Sequence, residues 1–168
     1  MVGRGRPAVG WGVRAWWRDG ITLPGVHDDD PRLAYRRAQR VPFVVVGHAE
    51  GARGVMPDDR GGAREATRHL IALGHRDIVH LGGLMSQQAF QDRYQGYRDA
   101  FAEAGLEPPR RDLLLDGDFD TLTAYRTVRR AFEAGCVATA VFAASDEMAL
   151  GAIAALEDLG MKVPLDVS

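Results

Sequence analysis

Apolar positions along this chain keep two rhythms: stripes spaced by three and four residues, and short unbroken runs between them. Ala63, Ala66, Thr67, Leu70 and Ile71 fall at i, i+3, i+4, i+7 and i+8, one face of a helix. Phe90, Tyr94, Tyr97, Phe101 and Ala104 mark a second helix. Leu122, Tyr125, Val128 and Phe132 mark a third, with Arg129 outward, and Ala149, Ala152, Ile153, Leu156 and Leu159 a fourth. Each stripe stops at a glycine, at Gly74, Gly105, Gly135 and Gly160, the residue that accepts the left-handed backbone closing a helix. Apolar runs follow the first three stops: "IVHL", "LLL" and "VATAVFA", the last begun by Cys136, expected as a small buried hydrophobe. Upstream, "GITLPG" predicts a short strand with a turn. Asp30-Pro31 predicts a helix start, and "FVVVG" (Phe43–Gly47) a strand buried on both faces. The polar, small-residue stretch Ala49–Gly54 is the candidate subdomain boundary.

Strand–helix alternation with a repeat of about thirty residues is the grammar of βαβ units. Uninterrupted apolar strands between amphipathic helices predict an α/β fold with a doubly wound parallel sheet, covered on both faces. Ligands of such sheets bind at the carboxyl ends of the strands. The loop beyond Gly82-Gly83, "GGLMSQQAFQDR", is therefore expected to face a ligand.

Charge and composition narrow the function. A formal net charge of −2 gives no global attraction to nucleic acid or an anionic membrane. One cysteine excludes an internal disulfide and suits a reducing, cytoplasmic compartment. No apolar run nears membrane-spanning length, and no apolar segment follows the N-terminal arginines as a secretion signal requires. Residues 1–18 are Gly-, Arg- and Trp-rich and stay unassigned. "GRGRP" (Gly3–Pro7) has the look of a minor-groove hook, but a single copy in such a terminus is a frequent accident. Dinucleotide-binding, phosphate-loop and nucleophile-elbow motifs are missing, so no enzyme activity and no cofactor are expected. The run Asp28–Asp30 lacks the alternating ligands and glycine turn of a cation loop and is expected to be solvated, ending in a helix cap. His27, His48, His69, His75 and His80 lack metal-ligand spacing and are expected to be structural.

"DDRGGAREATRHLIALGHRDIVHLGG", "QDRYQGYRDAFAEAGL", "DGDFDTLTAY" and "VFAASDEMALGAIAALEDLGMKVPLDVS", taken in that order, resemble the Lac/Gal repressor (LacI/GalR) family of bacterial transcription regulators over residues 19–168. The resemblance implies an effector domain like that of periplasmic binding proteins, two α/β subdomains with a small ligand between them. Residues 19–52 correspond to a remnant of the N-terminal subdomain and residues 53–168 to an incomplete C-terminal one. The family's helix-turn-helix head and hinge helix have no counterpart here, so the chain is expected to be a fragment. It is expected to meet operator DNA only through a head absent from it. A sugar-like effector, and a homodimer formed partly through the small-residue face "ALGAIAAL", are implied as well. A transport-associated sugar-binding protein shares the fold and is the alternative.

The resemblance also supplies candidate ligand contacts, each with a plainer alternative. Arg93 corresponds to a family arginine that forks onto ligand hydroxyls or a carboxylate, otherwise a solvated helix arginine. Phe119 corresponds to an aromatic stacking on the effector, otherwise a hydrophobic staple. Ser145 and Asp146 correspond to a loop hydrogen-bonding the ligand, though helix capping and the helix dipole account for both. Gln87 and Gln88 present amides to the expected cleft, or to water. Asp58-Asp59 is expected to be a helix start only.

Overall fold

The computed structural model describes residues 20–168 apart from 25, 27–29, 40, 41, 48, 84, 108 and 109. The segment 1–18 with its Gly3–Pro7 motif, His27, His48 and Asp28-Asp29 lie outside the described residues. The chain divides between Pro57 and Asp58 into two units.

The first unit holds three parallel strands in the order β1 (Ile21–Pro24), β2 (Phe43–Val46), β3 (Gly54–Val55), with Leu23 opposite Val45. Helix α1 (Pro31–Gln39) starts as its sequence predicts. The Asp30 carboxylate accepts the Arg32 backbone N–H at 2.8 Å, its carbonyl accepts that of Leu33 at 2.9 Å, and Pro31 stands where no donor is needed. Leu23, Leu33, Val45 and Ala49 form a small core. Strand β2 is not buried on both faces. Val45 is buried, but Val44 and Val46 are 38% and 39% exposed. Successive side chains of a strand point to opposite faces, and α1 is the one helix among this unit's described residues.

The second unit is a three-layer sandwich. Its parallel strands run in the order β5 (Leu114–Asp116), β4 (Ile78–Gly82), β6 (Ala140–Ala143). Helices α2 (Asp59–Ala72) and α3 (Gln88–Glu103) cover one face, packing Leu70, Ile71, Tyr97 and Phe101 on Ile78 and Ala140. Helices α4 (Thr121–Glu133) and α5 (Asp146–Asp158) cover the other, packing Val128, Met148, Ala152 and Leu156 on Val79 and Leu81. Every residue of β4 is buried. The predicted glycine stops close α2, α3, α4 and α5 by one repeated device. The backbone N–H of His75, Leu106, Cys136 and Met161 reaches back to Leu70, Phe101, Ala131 and Leu156 at 3.0–3.2 Å, across a glycine with positive φ.

Several expected positions shift. Strand β6 begins at Ala140, not at Cys136. Cys136 is half-buried in the turn that closes α4, and Val137 is 61% exposed. Ala66 and Ala104 are exposed, because the buried side of α2 centres on Ala63 and Thr67 and Ala104 lies past the last turn of α3. In α4, Ala124 replaces Leu122 in the core and Leu122 stays 52% exposed. The small face of α5 is not left free for a partner. Gly151, Ala152 and Ala155 are buried inside the unit, and a Cβ on Gly151 would lie 2.2 Å from the Thr121 carbonyl oxygen of α4. Gly96 plays the same part between α3 and α2, where a Cβ would lie 2.1 Å from the Arg60 carbonyl oxygen. A residue without a side chain at each crossing lets the two backbones touch.

Candidate functional site

Strand order places the candidate site within the second unit. Helix α3 leaves β4 toward one face of the sheet, whereas α4 and α5 leave β5 and β6 toward the other. Diverging exits of this kind open a crevice at the carboxyl ends of the strands. Backbone bonds tie those ends together: Gly117 N–H donates to the Gly82 carbonyl and Ala144 N–H to the Leu81 carbonyl, both at 2.9 Å.

Phe90, in the first turn of α3, is buried over the end of β4. A Cβ on Gly83 would lie 2.6 Å from its ring, so the second glycine of the Gly82-Gly83 step is what admits the aromatic. The Arg93 guanidinium lies over the Phe90 ring at 5.4 Å, and the Phe119 ring meets Phe90 edge-on at 5.4 Å. Arg93 and Phe119, predicted from segments far apart in the chain, thus stand at one rim with Phe90 between them. Phe119 is 45% exposed. It follows Asp118 in the left-handed region, with φ of 49° and 54°, a conformation that costs energy in residues other than glycine. The turn is bought back locally: Asp116 Oδ1 accepts the Asp118 N–H at 2.9 Å, and Asp120 Oδ2 caps α4 by accepting the Thr123 N–H at 2.7 Å. That cap holds the Asp120 carboxyl below its usual range, chiefly through the Thr123 backbone N–H.

Arg93 is partly withdrawn from water and already committed to partners. Its Nε–H donates to Asp59 Oδ1 at 2.7 Å, its Nη2 lies 2.7 Å from the same oxygen, and its Nη1–H donates to the Ala144 carbonyl at 2.5 Å. Those bonds link α2, α3 and the end of β6. Asp58, not Asp59, caps α2, accepting the Gly61 N–H at 2.8 Å. Asp59 is therefore more than part of a helix start. Its role was hidden because nothing in the spacing joins positions 59 and 93. The duplicated Asp was the available signal, since one cap leaves the second carboxylate unexplained.

The remaining candidates divide. Ser145 caps α5, its Oγ accepting the Met148 N–H at 3.3 Å, and Asp146 follows it with an exposed side chain. Gln87 precedes α3 with an exposed side chain that makes no cap bond. Gln88 donates to Asp92 at 2.9 Å along the helix surface, while Gln91 donates to the Met85 carbonyl at 2.8 Å and steadies the loop. His80 lies beneath the rim among the rings of Tyr94, Tyr97 and Phe142. Burial lowers its pKa to about 4, so the imidazole is neutral near pH 7.

Residues 12–168 match the family described as periplasmic binding proteins and sugar binding domain of LacI family. The chain belongs to that family. The transcriptional regulator CelR of Thermobifida fusca is 37% identical over 155 residues, 89% of this chain and 45% of that protein. The repressor PurR of Actinobacillus pleuropneumoniae is 35% identical over 131 residues, 76% of this chain and 39% of that protein. Among solved structures, the CelR–cellobiose complex superposes with a TM-score of 0.76 at 37% identity, over 89% of this chain and 47% of that one. The doubly wound α/β architecture is therefore that of LacI-family effector domains, and the chain spans less than half the length of these relatives. They carry the names of transcription regulators, not of transport proteins or enzymes. Among the described residues no helix is long and apolar enough to cross a membrane.

Proposed function

We propose that this chain is an effector-sensing part of a LacI-type transcription regulator, and that a small sugar-like molecule binds at the carboxyl rim of β5, β4 and β6. The single observation that carries the reading is the row Phe119–Phe90–Arg93, an exposed ring and a guanidinium each held against Phe90 at the strand ends. A flat apolar face suits the C–H surface of a sugar, and guanidinium N–H groups suit its oxygens. Asp146, Ser145 and Gln87 add polar groups around the same ends. CelR, solved with cellobiose, supports a sugar as the chemical class. The unit ending at Pro57 and the unit beginning at Asp58, a boundary a few residues beyond the expected 52/53 division because β3 pairs with β2, serve as parts of the two subdomains, and ligand-dependent closure biases a DNA-binding head that lies outside this chain. A second copy pairs through the outward face of α5, where Leu150 and Ile153 are 64% and 38% exposed. A cytoplasmic location follows from a role on operator DNA.

Calorimetry on the regulator containing this chain, with cellobiose first among a panel of neutral sugars, tests the reading. Arg93→Ala is expected to weaken binding about ten- to hundredfold, the loss of a charge-assisted hydrogen bond. Unchanged affinity in that variant removes the assigned site.

A further inference from the structure

The cation at this rim arrives already paired, and its partner decides what else it can hold. A guanidinium carries five N–H donors. Asp59 Oδ1 accepts the Nε–H and lies 2.7 Å from Nη2, and the Ala144 carbonyl accepts one Nη1–H, so both Nη nitrogens keep N–H groups that are not hydrogen-bonded among the described residues. The pair is partly withdrawn from water, with Arg93 29% and Asp59 12% exposed. Elsewhere the strand ends and the segments after them carry carboxylates: Asp116 at the end of β5, Asp118 and Asp120 after it, Asp146 and Glu147 after β6. Arg126 of α4 interacts electrostatically with Asp120.

We infer that Asp59 is the specificity-determining residue of this rim: by neutralising Arg93 in advance, it restricts the site to uncharged polyhydroxyl ligands and rejects carboxylate- or phosphate-bearing ones of the same size. The inference rests on the ligand-binding reading above and goes beyond it to the ligand's charge. Two N–H donors on neighbouring nitrogens match the oxygens of a vicinal diol, and Phe119 matches its C–H face. An anion has two options, and both are unfavourable. It can displace Asp59 and leave a part-buried carboxylate unpaired, or it can share the guanidinium and stand against Asp59. Rejection of this kind is specificity by repulsion. Asp59 acts through Arg93 and is a positioning residue. Because Asp58 caps α2, replacing Asp59 leaves that cap bond in place.

The test has two arms, both on the wild-type chain, Asp59→Asn and, as a second variant, Asp59→Ser. In the first, the Arg93 Nε–Hε resonance, assigned by its loss in Arg93→Lys, is followed while inorganic phosphate is added. The resonance is expected to stay put in the wild type and to shift saturably in the Asp59 variants. A saturable shift of equal size in the wild type overturns the inference. In the second arm, glucose is compared with glucuronate and cellobiose with cellobionate. The wild type is expected to favour the neutral member about tenfold or more, and the Asp59 variants to narrow or invert that ratio. An acid bound by the wild type as tightly as its neutral partner overturns the inference. If the phosphate response follows Asp59 while no sugar binds, the charge rule stands and the sugar reading falls.

Discussion

Strands β2 and β4 look alike in sequence and differ in the fold. "FVVV" and "IVHL" are both unbroken runs of large side chains, yet β4 is buried along its whole length while β2 exposes every second residue. The difference lies in what covers them. α2 and α3 lie on one face of β4 and α4 and α5 on the other. Strand β2 has α1 on one face, and among the described residues of its unit nothing on the other. An apolar run thus records that a strand suits burial, and its neighbours decide whether both faces receive it.

The largest expected effect that sharpens this contrast is truncation within β4. Leu81→Ala should cost about 2–5 kcal/mol, because the side chain is fully buried and its surroundings are held by packed helices. Urea denaturation followed by circular dichroism reads it, and a cost near zero would mean that β4 is less enclosed than its burial indicates.

A pH effect of somewhat smaller size belongs to β4 alone. His80 is neutral and buried, its pKa lowered from 6.5 to about 4 by desolvation. The unfolded chain therefore binds the proton first as pH falls. The stability His80 contributes is full above about 6.5 and drops as pH falls toward 4, by on the order of 3 kcal/mol. His80→Phe should flatten that part of the stability-versus-pH curve, measured by denaturation at pH 7 and pH 4.5. The same slope in wild type and variant would assign the acid sensitivity elsewhere.

The smallest effect is expected on the outer face of β2. Val44→Thr keeps a β-branched side chain and removes little buried surface, so its cost should stay within about 0.5 kcal/mol. A loss as large as that of Leu81→Ala would show this face to be covered, and the contrast between the two strands would disappear.

Much of the second unit was legible in the chain because its signals are local. Gly74, Gly105, Gly135 and Gly160 stop helices through bonds spanning a few residues, and Asp30-Pro31 starts one the same way. Arg93 and Phe119 were legible as rim residues because each follows a strand end. Their meeting through Phe90 was not legible, since it depends on β5 and β4 lying side by side. The small face of α5 follows the same rule. "ALGAIAAL" announces close helix packing but not the partner, and within this unit its buried small residues meet α4.

By itself the sequence determined the alternation of strand and helix, the stops between them, and which strand ends would carry polar and aromatic groups. Those features rest on backbone conformation and on the periods of 3.6 and 2, which act over a few residues. Tertiary structure alone decided that β2 keeps one face in water, that α4 and α5 touch at Gly151, and that Asp59 holds Arg93 across 34 positions. These depend on which surfaces meet, and segments distant in the chain become neighbours only once the layers have packed.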